Sequence, residues 1–170
     1  MIDITLANFE SDLIQASLQQ PVLLDIWAEW CGPCKALGPV LEQLETEYAG
    51  RFLLAKVNAD EQQEITSQLS QMFGVRSIPF CVMFVGGQPV DGFVGALPAE
   101  KIREFLDKHV PGEGEIVSEL ETLEAGQLAE SGDTETALAK LEDALAKDPG
   151  NDEARDDLLT LLLAEGARED

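Results

Sequence analysis

Basic residues are scarce in this chain. Eleven Lys and Arg face 33 Asp and Glu, giving a formal net charge of −22 and an isoelectric point of about 4.1. Such a surface repels phosphate, which argues against nucleic acid and anionic membranes as partners. Cysteines number only three, too few for the disulfide framework of a small secreted domain. There is one histidine. No apolar run approaches the roughly 18 residues of a membrane span. The opening Met1-Ile2-Asp3-Ile4 lacks the basic and then apolar order of a secretory leader. The expectation is a cytoplasmic protein of a reducing compartment.

What is present is ample for folding. A chain of 170 residues that is 45% hydrophobic supports one large or two small domains with a real core. The charge is unevenly spread. Residues 1–110 carry 7 basic and 15 acidic side chains, net −8, whereas 111–170 carry 4 and 18, net −14. The shorter segment with the larger charge reads as a separate module. Its acidity is that of a solvated face or of a docking surface for a basic partner.

The chain is organised around Trp30-Cys31-Gly32-Pro33-Cys34. An apolar run from Val22 to Ala28 precedes it as a buried strand. A helical pattern, Leu37, Val40, Leu41, Leu44 and Tyr48, follows. Two thiols with two residues between them at a strand-to-helix junction suit dithiol–disulfide exchange. A helix N-terminus favours the thiolate of Cys31, and Cys34, one turn on, is placed to resolve a mixed disulfide. Pro33 fits a first turn because its missing N–H costs nothing there. The alternatives are two inert thiols, or half of a zinc site that would need Cys81 and His109 as its other ligands. Asp25 is a carboxylate inside the apolar strand. It is either a strand-edge surface residue or a buried acid whose raised pKa lets it move a proton at Cys34.

From Pro21 to Lys35 the sequence closely resembles the active-site signature of the thioredoxin family. The resemblance implies an α/β thioredoxin fold, a central mixed sheet with flanking helices, over residues 1–110. It places the proton-transfer aspartate on Asp25 and a nearby lysine on Lys56, with a surface lysine as the alternative reading of Lys56. Gly74-Val75-Arg76-Ser77-Ile78-Pro79 matches the family's second diagnostic stretch, which implies a cis bond at Pro79 facing the dithiol. There the backbone of Ile78 would pair with an extended substrate in the manner of strand addition. Gly95 matches the glycine that leaves room for substrate backbone. Trp30, Gly32 and Pro33 complete the implied substrate surface. Phe80 replaces a small hydroxylated residue and is expected to make the groove edge more apolar. No cofactor or metal is implied beyond the redox-active Cys31–Cys34 disulfide.

The remaining segments give local expectations. Ile2, Ile4 and Leu6 alternate as a short strand, and Asn8 is placed to cap a helix through Leu18. Pro39 predicts a kink in the helix after the dithiol, Glu61 to Phe73 another helix, Gly86-Gly87 a hairpin turn, and Pro98 to His109 a final helix. Cys81 reads as a buried small hydrophobe or an oxidation-sensitive thiol. His109 reads as a surface residue without a partner.

Pro111-Gly112-Glu113-Gly114 is the expected linker, and residues 115–170 the second module. Helices are expected over 115–130, 134–147 and 152–165. Ala125, Leu128, Ala137, Leu141, Ala144 and Pro149 fit a tetratricopeptide repeat of about 34 residues, without its usual aromatics. About one and a half repeats are present, so the array is expected to be truncated or capped by a partner. Leu158, Leu159, Leu161, Leu162 and Leu163 cover more of the last helix than one contact buries, which suggests self-association or another partner.

A thioredoxin-like domain followed by such repeats is similar to the chaperedoxins, the YbbN-like bacterial co-chaperones. Gly87 to Phe93 and the helix ending at Pro111 carry the closer match. The resemblance implies a protein-disulfide reductase acting on disulfide-bearing or oxidised clients. A thioredoxin-type reductase or small thiol would re-reduce it, and clients would pass to a chaperonin. The alternative is a holdase in which redox activity is secondary.

Overall fold

The computed structural model describes residues 1–169, with side chains as far as Gly166; Asp170 lies outside the described residues. The described chain forms two compact units that divide between Val110 and Pro111.

The first unit is a five-stranded mixed sheet in the order β1-β3-β2-β4-β5. Its strands are β1 (Ile2–Asp3), β2 (Val22–Trp27), β3 (Leu53–Asn58), β4 (Phe80–Val85) and β5 (Gln88–Val94). β2 lies parallel to β3 and antiparallel to β4, so it is buried on both sides and both edges. This explains its nearly unbroken apolar sequence. Its side chains alternate between two cores. Leu23 faces the cluster made with α1 (Gly32–Glu47) and α3 (Ala99–His109). Val22, Leu24 and Ile26 face the cluster made with Leu13 and with Ile65 and Leu69 of α2 (Gln63–Phe73). The odd-numbered register therefore sends Asp25 towards α1.

Several local expectations are corrected. Only Ile4 of the opening alternation is buried, its N–H extending the pairing to the Lys56 carbonyl (2.7 Å), while Leu6 is exposed. Asn8 does not cap a helix. Its side chain accepts from the Thr5 N–H (2.7 Å) and donates to the Asp3 carbonyl (2.8 Å), bracing the turn before a π-helical segment, Phe9–Gln15. Glu113 and Gly114, expected in the linker, are helical. The first helix of the second unit is α4 (Glu113–Glu130), whose start is secured by Glu115 accepting from the Gly112 N–H (3.3 Å). α1 continues through Pro39 to Glu47. Gly86 and Gly87 both have positive φ (64° and 84°) and turn β4 into β5.

The second unit consists of α4, α5 (Thr134–Lys147) and α6 (Asp152–Glu169). Its buried apolar residues are Ala125, Ala137, Leu141, Ala144 and Ala154, with Leu128 and Leu158 packed at the margin. Small side chains let the helix axes approach. A β-carbon on Gly114 would meet the Lys147 carbonyl at 2.9 Å. The close approach is held by buried polar contacts. The Ser118 hydroxyl donates to the Ala144 carbonyl (2.7 Å), and Asn151 donates to the hydroxyls of Ser118 (2.8 Å) and Thr122 (3.1 Å). Leu159, Leu162 and Leu163 of α6 remain exposed, as do Val117, Leu120 and Leu123 of α4. The sequence reading did not single out these α4 side chains.

Candidate active site

Cys31 occupies the N-cap of α1 in extended geometry, and its Sγ accepts from the Cys34 N–H (3.2 Å). Gly32 and Pro33 form the first turn, as expected of a proline without an N–H. The two sulfurs are joined in a disulfide, with Cα atoms 5.3 Å apart. Each cysteine is only 4% exposed, so the oxidised pair presents little sulfur to solvent. Ala28, Trp27 and Ile78 pack around it. Among the described residues no group of three or more His, Cys, Asp or Glu side chains is placed to hold a metal ion.

Asp25 and Cys34 line one cavity of about 160 Å³ with Trp27, Lys35, Gly38 and Lys56. Asp25 is 3% exposed, which corrects the strand-edge alternative. Burial pushes its carboxyl up to about 6, against the opposing pull of a hydrogen bond from Cys81 and the charge of Lys56. A carboxyl at that value changes protonation near neutrality, as a proton acceptor for a thiol must. Lys56 stands opposite Asp25 in the β2–β3 register. Its ammonium pairs with Asp3 (3.5 Å) and lies 5.3 Å from the Trp27 ring centroid, so it acts on Asp25 through its field.

Opposite Asp25 on the other side is Cys81, its register partner on β4. The Cys81 thiol is fully buried and donates to Asp25 Oδ1 (3.7 Å). The sequence reading left a small hydrophobe or an oxidation-sensitive thiol here, and neither included a carboxylate partner. Its position two residues after Pro79 was visible, but the register that sets it against Asp25 was not.

The Ile78–Pro79 bond is cis, as the family resemblance implies. The Pro79 carbonyl accepts from the Gly95 N–H (2.8 Å), which brings two of the expected substrate-contacting positions together. Gly95 has φ +90°, and a β-carbon there would meet nothing within 4 Å, so the space beside it is open. Trp30 is 71% exposed, with its indole N–H donating to Asp60 (2.9 Å), a partner not expected from the sequence. Phe80 does not line the groove. It is buried against Phe73 (centroids 5.6 Å apart) in the α2-side core, because alternation along β4 turns it away from Cys81.

His109 is also corrected. Its Nε2 lies 2.9 Å from Asp91 Oδ2, and its ring meets Phe105 edge-on at 5.4 Å. It therefore joins α3 to β5. Of the two further ligands that the zinc alternative would need, His109 lies against Asp91 and Cys81 against Asp25.

The family model described as Thioredoxin matches residues 1–108. The chain is 44% identical over 103 residues to a Thioredoxin of Chlorobaculum thiosulfatiphilum, covering 61% of this chain and 90% of that protein. It is 43% identical over 104 residues to a Thioredoxin of Haemophilus influenzae, covering 61% and 92%. With Thioredoxin 1 of Nostoc sp. it shares 39% over 107 residues, covering 63% and 94%. The family model falls within the first unit, and each of these relatives matches over fewer residues than that unit holds.

Proposed function

Starting from a chain that belongs to the thioredoxin family and is a thioredoxin-like disulfide oxidoreductase, we propose that it reduces disulfides in client proteins. We propose further that residues 115–170 form a tetratricopeptide-like interaction module that selects those clients, making the protein a cytoplasmic redox co-chaperone. The observation that carries the reductase reading is the Cys31–Cys34 pair at the start of α1 with buried Asp25 on the same cavity.

In the reduced protein the Cys31 thiolate attacks one sulfur of a client disulfide. A Cys31–client disulfide forms and the other client sulfur leaves as thiolate. Asp25 accepts the Cys34 proton, and the Cys34 thiolate attacks Cys31. This closes the Cys31–Cys34 disulfide and expels the second client thiolate, so two electrons pass to the client. An external dithiol, a thioredoxin-type reductase or a small thiol, restores the reduced form. Lys56 keeps Asp25 within a useful pKa range. Ile78, Pro79 and Gly95 receive the client as an added strand, flanked by Trp30, Gly32 and Pro33.

A second reading is a holdase that passes clients to a chaperonin. Its support is the apolar surface left on α4 and α6, which also suits self-association. Insulin reduction followed by turbidity tests the first reading. Brisk turnover that disappears in Cys31→Ser is expected; no turnover from a folded, reduced protein overturns it. Aggregation suppression that survives in Cys31→Ser assigns holding to the second unit and separates the two readings.

A further inference from the structure

We propose that Cys81 is a positioning residue for the exchange reaction: its S–H donates to Asp25 Oδ1 and holds that carboxyl ionised on β2 as the proton acceptor for Cys34. The inference deepens the reading of Asp25 given above and rests on it. It assigns work to a third thiol that takes no part in the disulfide.

The geometry is specific. Cys81 and Asp25 are cross-strand partners on the central pair β4 and β2, with the thiol 3.7 Å from Oδ1. Both side chains are buried. An ionised carboxylate in such a place is costly unless donors meet it. Asp25 faces Cys81 from β4, Lys56 from β3, and Cys34, Lys35 and Glu42 from α1, with Met1 also on the cavity. Lys56 spends its ammonium on Asp3, and among the described residues Cys81 is the side chain that donates a hydrogen bond to Asp25. The thiol sits on the other side in an apolar cluster with Leu37, Leu41 and Phe93. Tyr48, the other titratable group there, gives its hydroxyl to Asp107 (2.7 Å).

Burial and the neighbouring carboxylate push the Cys81 thiol well above its ordinary value. It therefore stays protonated and remains a donor while Asp25 cycles. In the exchange step the proton leaves Cys34 Sγ and arrives on Asp25, while Cys81 keeps its own. The thiol biases the acceptor without entering the transfer.

The test is the ionisation midpoint of Asp25, read in the oxidised protein from the carboxylic C=O infrared band as a difference against Asp25→Asn. The native midpoint is expected near 6. In Cys81→Val, which removes the donor but keeps the strand, it is expected to rise by about one pH unit. Cys81→Ser, with a hydroxyl donor, is expected to hold it close to the native value. A midpoint in folded Cys81→Val equal to the native one overturns the proposal.

A measurement on the unaltered protein covers the case in which Cys81→Val does not fold. With Cys31 and Cys34 oxidised, Cys81 carries the one thiol among the three cysteines. Its S–H stretch should fall in frequency as Asp25 ionises, with the same midpoint, and a band that stays still overturns the proposal. The role of Asp25 itself is read separately, from the pH profile of Cys34 attack in Asp25→Asn. Failure of that reading leaves a different record from failure of the Cys81 contact.

Discussion

In the first unit the sheet carries an apolar core on each face, and large side chains such as Leu23, Leu24, Phe52 and Phe84 are fully buried. In the second, three helices close over four alanines and Leu141, with leucines of the same helices left outside. The first unit has enough apolar burial to keep a carboxyl, a thiol and a dithiol in its interior. The second holds its helices by short-range polar contacts and ion pairs between α4 and α5, among them Lys147 with Glu121 and Lys140 with Glu124 (2.5 Å). A large core tolerates costly chemistry, whereas a thin one depends on each hydrogen bond and leaves apolar surface free for other contacts.

The largest effect expected from this contrast is at Asp25. Its carboxyl is raised from 3.8 to about 6 in the folded protein. Between those values the native state holds more proton than the unfolded chain, so stability falls as pH rises through that window. Above it the deficit is constant, about 3 kcal/mol. Asp25→Asn is therefore expected to be more stable than the native protein at pH 7, with the advantage shrinking towards pH 4. Urea unfolding followed by tryptophan fluorescence measures it, because both tryptophans, Trp27 and Trp30, lie in the first unit. A variant no more stable at pH 7 than at pH 4, relative to native, would show that the core does not bear this cost.

Asn151 offers the matching break in the second unit. Besides its bonds to Ser118 and Thr122, its Oδ1 accepts from the Ala154 N–H (3.0 Å) and caps α6. Asn151→Ala leaves two buried hydroxyls with one partner fewer and is expected to cost about 1–3 kcal/mol. The loss should appear in helical circular dichroism and leave the tryptophan transition unchanged. A shift in the tryptophan transition of similar size would mean that the two units unfold together.

These two sites also mark what the sequence reveals. Cys31 and Cys34 were legible because the motif is local: its spacing alone puts two thiols at a helix start after a strand. Asp25 stood out as a carboxylate in an apolar strand, whereas the cis bond at Pro79 was legible only through the family resemblance. Helix positions in the second unit were legible from periodicity and from turns such as Asp148-Pro149-Gly150. Cys81, Asp60 and Asp91 were not, because their partners lie 56, 30 and 18 residues away and depend on register. Phe80 was misread for the same reason: apolar residues on both sides of a central strand do not say which core each one enters.

The smallest expected effect concerns His109 and Asp91, at the edge of the first unit. Burial raises the Asp91 carboxyl, but hydrogen bonds from His109 and the Gly92 N–H (2.8 Å) outweigh it, so the group ends below its ordinary value. A carboxyl lowered by folding contributes stability above its ordinary pKa and loses it as pH falls through the folded value. Asp91 is 39% exposed, so solvent screens the pair and Asp91→Asn is expected to cost less than about 1 kcal/mol at neutral pH. Thermal unfolding of native and variant at pH 7 and at pH 3 measures it, with the two curves converging at the lower pH. A loss as large as that of Asn151→Ala would place the polar clasp between β5 and α3 among the main supports of the first unit, and the division between an apolar-held and a polar-held unit would no longer stand.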